Sequence, residues 1–250
     1  MRDTFIDYGL LRQFDFDGFK SKAPFPWENI EGFLTKEGFQ ALYTDYPSLE
    51  LFEYHNNVRR GHGQRPHNRH FLAYESSAHH KGVVRHEQLP ATWQRFIDEI
   101  GTSDEYRRFI RRALGASEFI LRYEWHVGSQ GSEVSPHLDL PRKLGTHLLY
   151  FNTSDDWNHE WGGATLALEG KKIEALNPDF SDFESVSASR ITDNRSFLFK
   201  NTSLAWHGAT ALTSPPGSYR RLFNIVVEMP KRSAGRKLVD RARTLLGLAS

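Results

Sequence analysis

The chain has 250 residues, a formal net charge of +1 and no cysteine. The lack of cysteine excludes disulfides, iron–sulfur clusters, thiolate zinc sites and thiol catalysis, so any metal must be held by His, Asp or Glu. The near-neutral charge predicts no nucleic-acid partner, because nucleic-acid-binding domains usually carry a basic excess. With no long apolar run and no signal-peptide pattern, we expect a single cytoplasmic domain over 1–250.

Residues 1–117 are expected to form a mixed, partly helical support for the rest of the chain. Apolar residues with helical spacing predict a helix over 36–46, and two further helices are predicted over 90–114. The second of these begins after Ser103, a suitable N-cap, and ends at Gly115.

The segment 55–86 contains seven of the twelve histidines and several arginines. Its polarity favours loops with short strands over a core element. It is interpreted either as the lining of a cleft for an anionic or sugar-like substrate, or as a solvated surface. The H-x-x-H spacing of His67 and His70 is a weak signal for a second metal site, because a third ligand is not evident.

From residue 118 the pattern changes to strands separated by turn residues, which predicts an antiparallel barrel or sandwich over 118–230. The strongest candidates are 119–125, 146–151, 164–168, 195–199 and 220–228. The last segment, 231–250, has one apolar helical face and six cationic residues against Asp240. It is expected to be a basic helix that either contacts an anionic membrane peripherally or caps the barrel.

His137 and Asp139 have the H-x-D spacing. On a strand, residues two apart point the same way, so this imidazole and this carboxylate can share one metal ion. A third ligand is needed, and the two-histidine, one-carboxylate triad leaves further positions open on iron(II). With twelve histidines in the chain, the spacing alone favours the plainer interpretation, a loop histidine beside a turn aspartate.

Features downstream favour the metal interpretation. His207 follows the predicted strand 195–199, and Arg220 opens the last strong strand. An arginine suits a bidentate grip on a carboxylate, and the distal carboxylate of 2-oxoglutarate needs such a grip. Arg221 is the alternative if the strand register shifts by one, since successive residues face opposite sides of a sheet.

Several motifs occur in a specific order: Tyr123, His137/Asp139, Tyr150-Phe151-Asn152, Trp161-Gly162-Gly163, His207 and Arg220-Arg221-Leu222. In this order the stretch 118–228 resembles the double-stranded β-helix, a jelly-roll or cupin-like core, of the iron(II)/2-oxoglutarate-dependent dioxygenases, especially the prolyl-4-hydroxylase-like branch. The resemblance implies a mainly β fold with flanking helices. It departs from the family at Leu222, where serine or threonine is common.

The same resemblance implies the site residues. His137, Asp139 and His207 would hold Fe(2+). Tyr150 and Arg220 would bind the distal carboxylate of 2-oxoglutarate, and Tyr123 would lie over this co-substrate.

The implied activity is that of an enzyme which uses O2 to hydroxylate a C–H bond and releases succinate and CO2. The expected substrate is a small molecule or glycan, with an anionic compound as one option. Two alternatives remain open: a protein (prolyl-type) hydroxylase of the same superfamily, and a non-catalytic metal- or sugar-binding β-barrel.

Overall fold

The computed structural model describes residues 4–58, 65, 67–74 and 83–230. Within these ranges the helices are α1 (Tyr8–Gln13), α2 (Phe16–Ser21), α3 (Lys36–Thr44), α4 (Ala91–Thr102) and α5 (Asp104–Leu114). The strands of the same ranges are β1 (Trp27–Glu31), β2 (Glu53–Val58), β3 (His67–Tyr74), β4 (Val83–Val84), β5 (Ile120–Gly128), β6 (Val134–His137), β7 (Lys143–Tyr150), β8 (Leu166–Glu169), β9 (Ser185–Ala188), β10 (Arg195–Lys200), β11 (His207–Ala209) and β12 (Arg220–Glu228).

The strands form two sheets. The larger sheet has the order β1-β10-β7-β12-β5-β3-β2, with β4 added in parallel beside β3. The smaller sheet has the order β6-β11-β8-β9. Strands β10, β7, β12 and β5 pair antiparallel, as do the four strands of the smaller sheet. From β5 to β8, and again from β9 to β12, consecutive strands alternate between the two sheets. This arrangement is a double-stranded β-helix, so the fold-class prediction is confirmed.

The two faces of the larger sheet meet different neighbours. Its outer face packs on the helices in a large apolar core that includes Trp93, Phe96, Trp125 and Phe223. Its inner face packs towards the smaller sheet, and the core between the sheets includes Tyr150, Phe197, Phe199, Ala167 and Leu222. The central strands are therefore buried on both faces, which fixes their register.

Capping residues begin and end helix α5. Ser103 caps α5 by accepting a hydrogen bond from the Tyr106 amide (3.1 Å), and Gly115 ends the helix in the left-handed conformation (φ 71°). Asp104 and Glu105 occupy its first turn, where carboxylates stabilise the helix dipole. The predicted helices at 36–46 and 90–114 are present, and Ser103 separates α4 from α5.

Arg65 connects the two sheets at one edge. Its amide donates to Ser135 Oγ on β6 (3.0 Å), and its guanidinium pairs with Glu133 (2.6 Å) and with Asp179. These contacts tie Arg65, which lies shortly before β3 of the larger sheet, to residues at the smaller sheet.

Some predictions fall outside the described residues. These are the basic helix over 231–250, much of the histidine-rich segment, and the His67 side chain of the H-x-x-H pair. The described part of 55–86 contains β2, β3 and β4. Strand β3 is eight residues long and its end, 71–74, is buried, so the expectation of short strands outside the core is wrong for this strand. Among the described helices, the longest has 12 residues, and none provides an apolar run that would cross a bilayer.

His147 on β7 gives a test of this packing. Its ring is fully buried on the outer face, between the hydroxyls of Tyr106 (3.2 Å from Nδ1) and Ser196 (3.0 Å from Nε2). Burial lowers its pKa from 6.5 to about 3. The unfolded chain therefore binds the proton first, and this stabilising contribution is present above pH 6.5 and lost as the pH falls towards 3.

We expect His147 to account for a loss of about 2 kcal/mol of unfolding free energy between pH 7.5 and pH 5. In His147→Gln this part of the pH dependence should disappear, while the contributions of all other histidines stay the same. Urea unfolding of both proteins at the two pH values, with a chelator present, measures the difference. Equal pH dependence in the two proteins would contradict the assignment.

Candidate metal centre

Three side chains converge between the two sheets. His137 ends β6, His207 begins β11, and the two residues are direct cross-strand partners. Asp139 lies two residues after His137. One ligand atom from each of the three lies within 4.8 Å of the others, and the two imidazole centres are 4.2 Å apart. The predicted triad is thus brought together by the pairing of two short strands.

Both histidines present the same nitrogen to the cluster. The Nδ1–H of His137 donates to the Ser135 carbonyl and that of His207 to the Ala205 carbonyl, both at 2.9 Å. Because a carbonyl can only accept, Nδ1 carries the proton and Nε2 keeps a free lone pair. Burial lowers the pKa of both rings, so they are neutral, as metal ligands must be.

Asp139 is ionised. Burial alone would raise the pKa of its carboxyl, but the ammonium of Lys143 outweighs that effect and holds the pKa below its ordinary value. Oδ1 of Asp139 lies 4.0 Å from Nε2 of His137 and 2.6 Å from Nζ of Lys143. Two neutral imidazoles and one carboxylate fit the donor set of a two-histidine, one-carboxylate iron(II) site.

A second group of polar residues lies on the inner face of the larger sheet. Arg220 is 8% exposed, and its guanidinium carbon lies 5.6 Å from the centre of the Tyr150 ring. The Tyr150 hydroxyl donates to Thr165 Oγ1 (2.6 Å) and lies 3.1 Å from Ser189 Oγ. Among the described residues, Arg220 has no ion-pair partner and its Nε has no hydrogen-bond partner. This group is therefore a buried cation beside a tyrosine whose hydroxyl is held by two others.

Register distinguishes the two candidate arginines. Arg220 shares the inner face with Leu222, which is the cross-strand partner of Tyr150. Arg221 points to the outer face, where it pairs with Asp156 and lies over the ring of Tyr43 (5.0 Å). There it lines a separate cavity of about 900 Å³. Arg220, and not Arg221, is the arginine that lies beside Tyr150.

Tyr123 is not brought to this group. It lies on the outer face of β5, where its ring stacks on Phe223 (centroids 5.8 Å apart) and contacts Tyr74. The interpretation of Tyr123 as a residue over the co-substrate is corrected accordingly. The cause is strand alternation, which turns residues 122, 124, 126 and 128 of β5 inwards and Tyr123 and Trp125 outwards.

The inward residues of β5 form a polar wall next to the triad. Arg122 pairs with Glu124 and Glu228, and it interacts electrostatically with Asp139. His126 lies 3.3 Å from Glu124 and 2.9 Å from a guanidinium nitrogen of Arg69 on β3. The wall of the site on this side is therefore charged, whereas Phe197 and Phe199 line the opposite side.

Three residues near the site were not identified from the sequence: Lys143, Thr165 and Ser189. Thr165 and Ser189 are single hydroxyls in strands or turns, and no spacing distinguishes them from surface residues. Lys143 follows Asp139 by four residues. Its inward orientation depends on a shift in the register of β12 and β7 between Val227 and Glu228, which brings Lys143 opposite Glu228. Bulges of this kind re-aim side chains and are not readable from sequence.

Gly163 lies against the side chain of Arg220 and leaves no room for a side chain of its own. Its φ is +86°, and a Cβ at this position would lie 2.8 Å from Arg220 Cδ and 3.2 Å from Leu212 Cδ2. Gly131 has a similar φ of +77° but no atom within 4 Å of its hypothetical Cβ. A comparison of alanine substitutions at Gly131 and Gly163 therefore separates the free-energy cost of backbone strain from the cost of a clash with Arg220.

We expect Gly131→Ala to cost about 1 kcal/mol of unfolding free energy, from the left-handed backbone alone. Gly163→Ala should cost about 1–2 kcal/mol more, because Arg220 must move in a packed interior. Urea unfolding of both variants measures the difference. Equal losses would show that Arg220 is not held against Gly163.

No family model matches the sequence, and no curated protein matches it. Solved structures do match. A prolyl 4-hydroxylase from Phytophthora capsici is similar over 97% of this chain and 75% of its own (TM-score 0.60, 14% identity). A prolyl hydroxylase from Trichoplax adhaerens, in complex with a hypoxia inducible factor peptide fragment, matches over 92% and 93% (0.58, 14%). The non-heme alpha-ketoglutarate-dependent carbocyclase SnoK from nogalamycin biosynthesis matches over 87% and 85% (0.57, 14%). At this identity the likeness establishes that the chain shares the double-stranded β-helix fold of these enzymes.

Proposed function

We propose that the protein is an iron(II)- and 2-oxoglutarate-dependent dioxygenase that hydroxylates a C–H bond of a small-molecule or glycan-type substrate. The observation that carries this proposal is the Arg220 guanidinium, which is buried in the barrel without an anionic partner among the described residues. A buried, unpaired charge is strongly destabilising. Arg220 is therefore best explained as one half of an ion pair whose other half is a bound carboxylate.

The hydroxyls around Arg220 match this ligand. Tyr150 lies beside the cation, and its hydroxyl is hydrogen-bonded to Thr165 Oγ1. A planar guanidinium with a phenolic hydroxyl next to it fits the two oxygens of a carboxylate. Tyr150 has its pKa raised by burial, so it remains a protonated donor.

His137, Asp139 and His207 would hold the metal by two Nε2 atoms and one carboxylate oxygen. Iron(II) bound there, with 2-oxoglutarate and dioxygen, would supply the oxidation of an unactivated C–H bond and release succinate and CO2. The residues of the chain contribute the rest. The backbone carbonyls of Ser135 and Ala205 orient the rings, Phe199 lies 4.6 Å from the His207 ring, and the apolar wall on this side excludes water.

The similar solved structures support the proposed dioxygenase activity but favour no particular substrate class. They are prolyl hydroxylases, one of them in complex with a peptide, and a carbocyclase of a biosynthetic route. A protein (prolyl-type) substrate is thus the alternative within the same activity. The charged wall formed by Arg122, Glu124 and His126 favours a polar substrate in either case.

The first experiment is an anaerobic titration of the metal-free protein with iron(II) and then 2-oxoglutarate, followed by the visible charge-transfer band of the chelated 2-oxo acid. We expect the band in the wild type and its loss in His207→Ala. In Arg220→Ala the band should need about 100-fold more 2-oxoglutarate, because the variant removes one partner of a buried charge pair.

Arg221→Ala is the matched control, since it removes the neighbouring arginine from the outer face of the same strand. It should leave the 2-oxoglutarate requirement unchanged. If the folded wild type forms no band, the dioxygenase proposal fails and the protein is better regarded as a non-catalytic barrel. If Arg220→Ala and Arg221→Ala behave alike, the carboxylate site has been assigned to the wrong residue.

A further inference from the structure

Lys143 lies at the rim of the barrel beside the triad. The register shift near the end of β12 sets Lys143 opposite Glu228, whose side chain belongs to the inner face. The lysine is about one-fifth exposed (21%), and its Nζ lies 2.6 Å from Oδ1 of Asp139, whose side chain is 9% exposed. Lys143 thus reaches both the metal ligands and the solvent.

The other cations at this rim already have carboxylate partners. Arg122 pairs with Glu124 and Glu228, and Arg142 pairs with the second oxygen of Glu228 (3.2 Å). Among the described residues, Asp139 is the single carboxylate within ion-pair distance of Lys143. The lysine therefore depends on a metal ligand for its counter-charge.

Binding of a metal ion changes this balance. Asp139 would then have a divalent cation as its principal counter-charge, and repulsion between the ammonium and the metal would offset the attraction between Asp139 and Lys143. No other described carboxylate is placed to replace Asp139, because Glu124 and Glu228 are engaged by arginines. With a metal bound, Lys143 would be a partly buried cation without a counter-charge, next to the metal ligands.

We propose that Lys143 binds an anionic group of the substrate, so that the substrate carries a carboxylate or phosphate close to the carbon that is oxidised. This inference rests on the proposed function. An ammonium suits such a role because it is a compact point charge with three donors on a flexible stem, and it can turn from Asp139 towards a ligand without a change in the backbone. The anion completes the charge balance that metal binding disturbs.

The test uses the protein loaded with Mn(II) and 2-oxoglutarate, to which small probes are added: propionate, methylphosphonate and neutral propionamide. Paramagnetic broadening of the probe proton signals reports which probes bind near the metal. We expect broadening by propionate or methylphosphonate and none by propionamide. The anion that binds more tightly indicates whether the substrate group is a carboxylate or a phosphate.

Lys143→Met should weaken binding of that anion by about tenfold or more, equivalent to one charge-assisted contact. Lys143→Arg should retain it. Lys22→Met is the matched control, because Lys22 is also a partly exposed lysine in an ion pair, with Glu28 at 3.0 Å, on a different part of the surface. It should behave like the wild type.

Three other outcomes would overturn the assignment. Equal broadening by anions in wild type and Lys143→Met would mean that the probes bind the metal directly. Weaker Mn(II) binding in Lys143→Met, restored in Lys143→Arg, would mean that Lys143 only positions Asp139. Anions that bind no better than propionamide would mean that no anion site exists. A wild type that retains no Mn(II), and that forms no charge-transfer band with iron(II) and 2-oxoglutarate, would instead refute the proposed function itself, before any probe is added.

Discussion

The register in which β12 pairs with β5 and β7 decides which side chains face the apolar core under the helices and which face the interior of the barrel. The central strands of the larger sheet are buried on both faces, with an apolar, helix-covered core outside and a partly polar space inside. A slip of one residue would turn Phe223 and Ile225 inwards and bury Arg220 and Asn224 against the helices. Burial of those polar groups in an apolar core without partners costs several kcal/mol. The positions of Arg220 and Tyr150 follow from this register.

In the smaller sheet, two very short strands are enough to position the metal ligands. Strand β11 has three residues and β6 has four, yet their pairing sets His207 opposite His137. Asp139 follows directly where β6 ends. The charges of the larger sheet then complete the site from the opposite side, through Arg122 and Lys143 near Asp139. The site thus depends on both sheets, and neither sheet contains all of its groups.

Much of this arrangement could be predicted from local pattern. The strand over 220–228 and the helix over 36–46 have strong periodicity, the helix after Ser103 has a capping signal as well, and the structure has all three. The choice between Arg220 and Arg221 required the register. Tyr123 was misassigned because a motif gives the order of residues but not the face on which each lies. The inward turn of Lys143 comes from an irregular pairing between distant strands, which no spacing within the sequence encodes.

The hydrogen bonds of the two metal-site histidines have a further consequence. Each Nδ1–H is held by the carbonyl two residues earlier in the same chain segment, Ser135 for His137 and Ala205 for His207. Main-chain carbonyls persist whichever side chains surround them. The orientation of the two imidazole rings therefore does not depend on neighbouring side chains. The residues around the metal site can change while its ligands keep their positions. A fold built in this way can acquire new substrates by changing residues such as those of β5 without rebuilding its reactive centre.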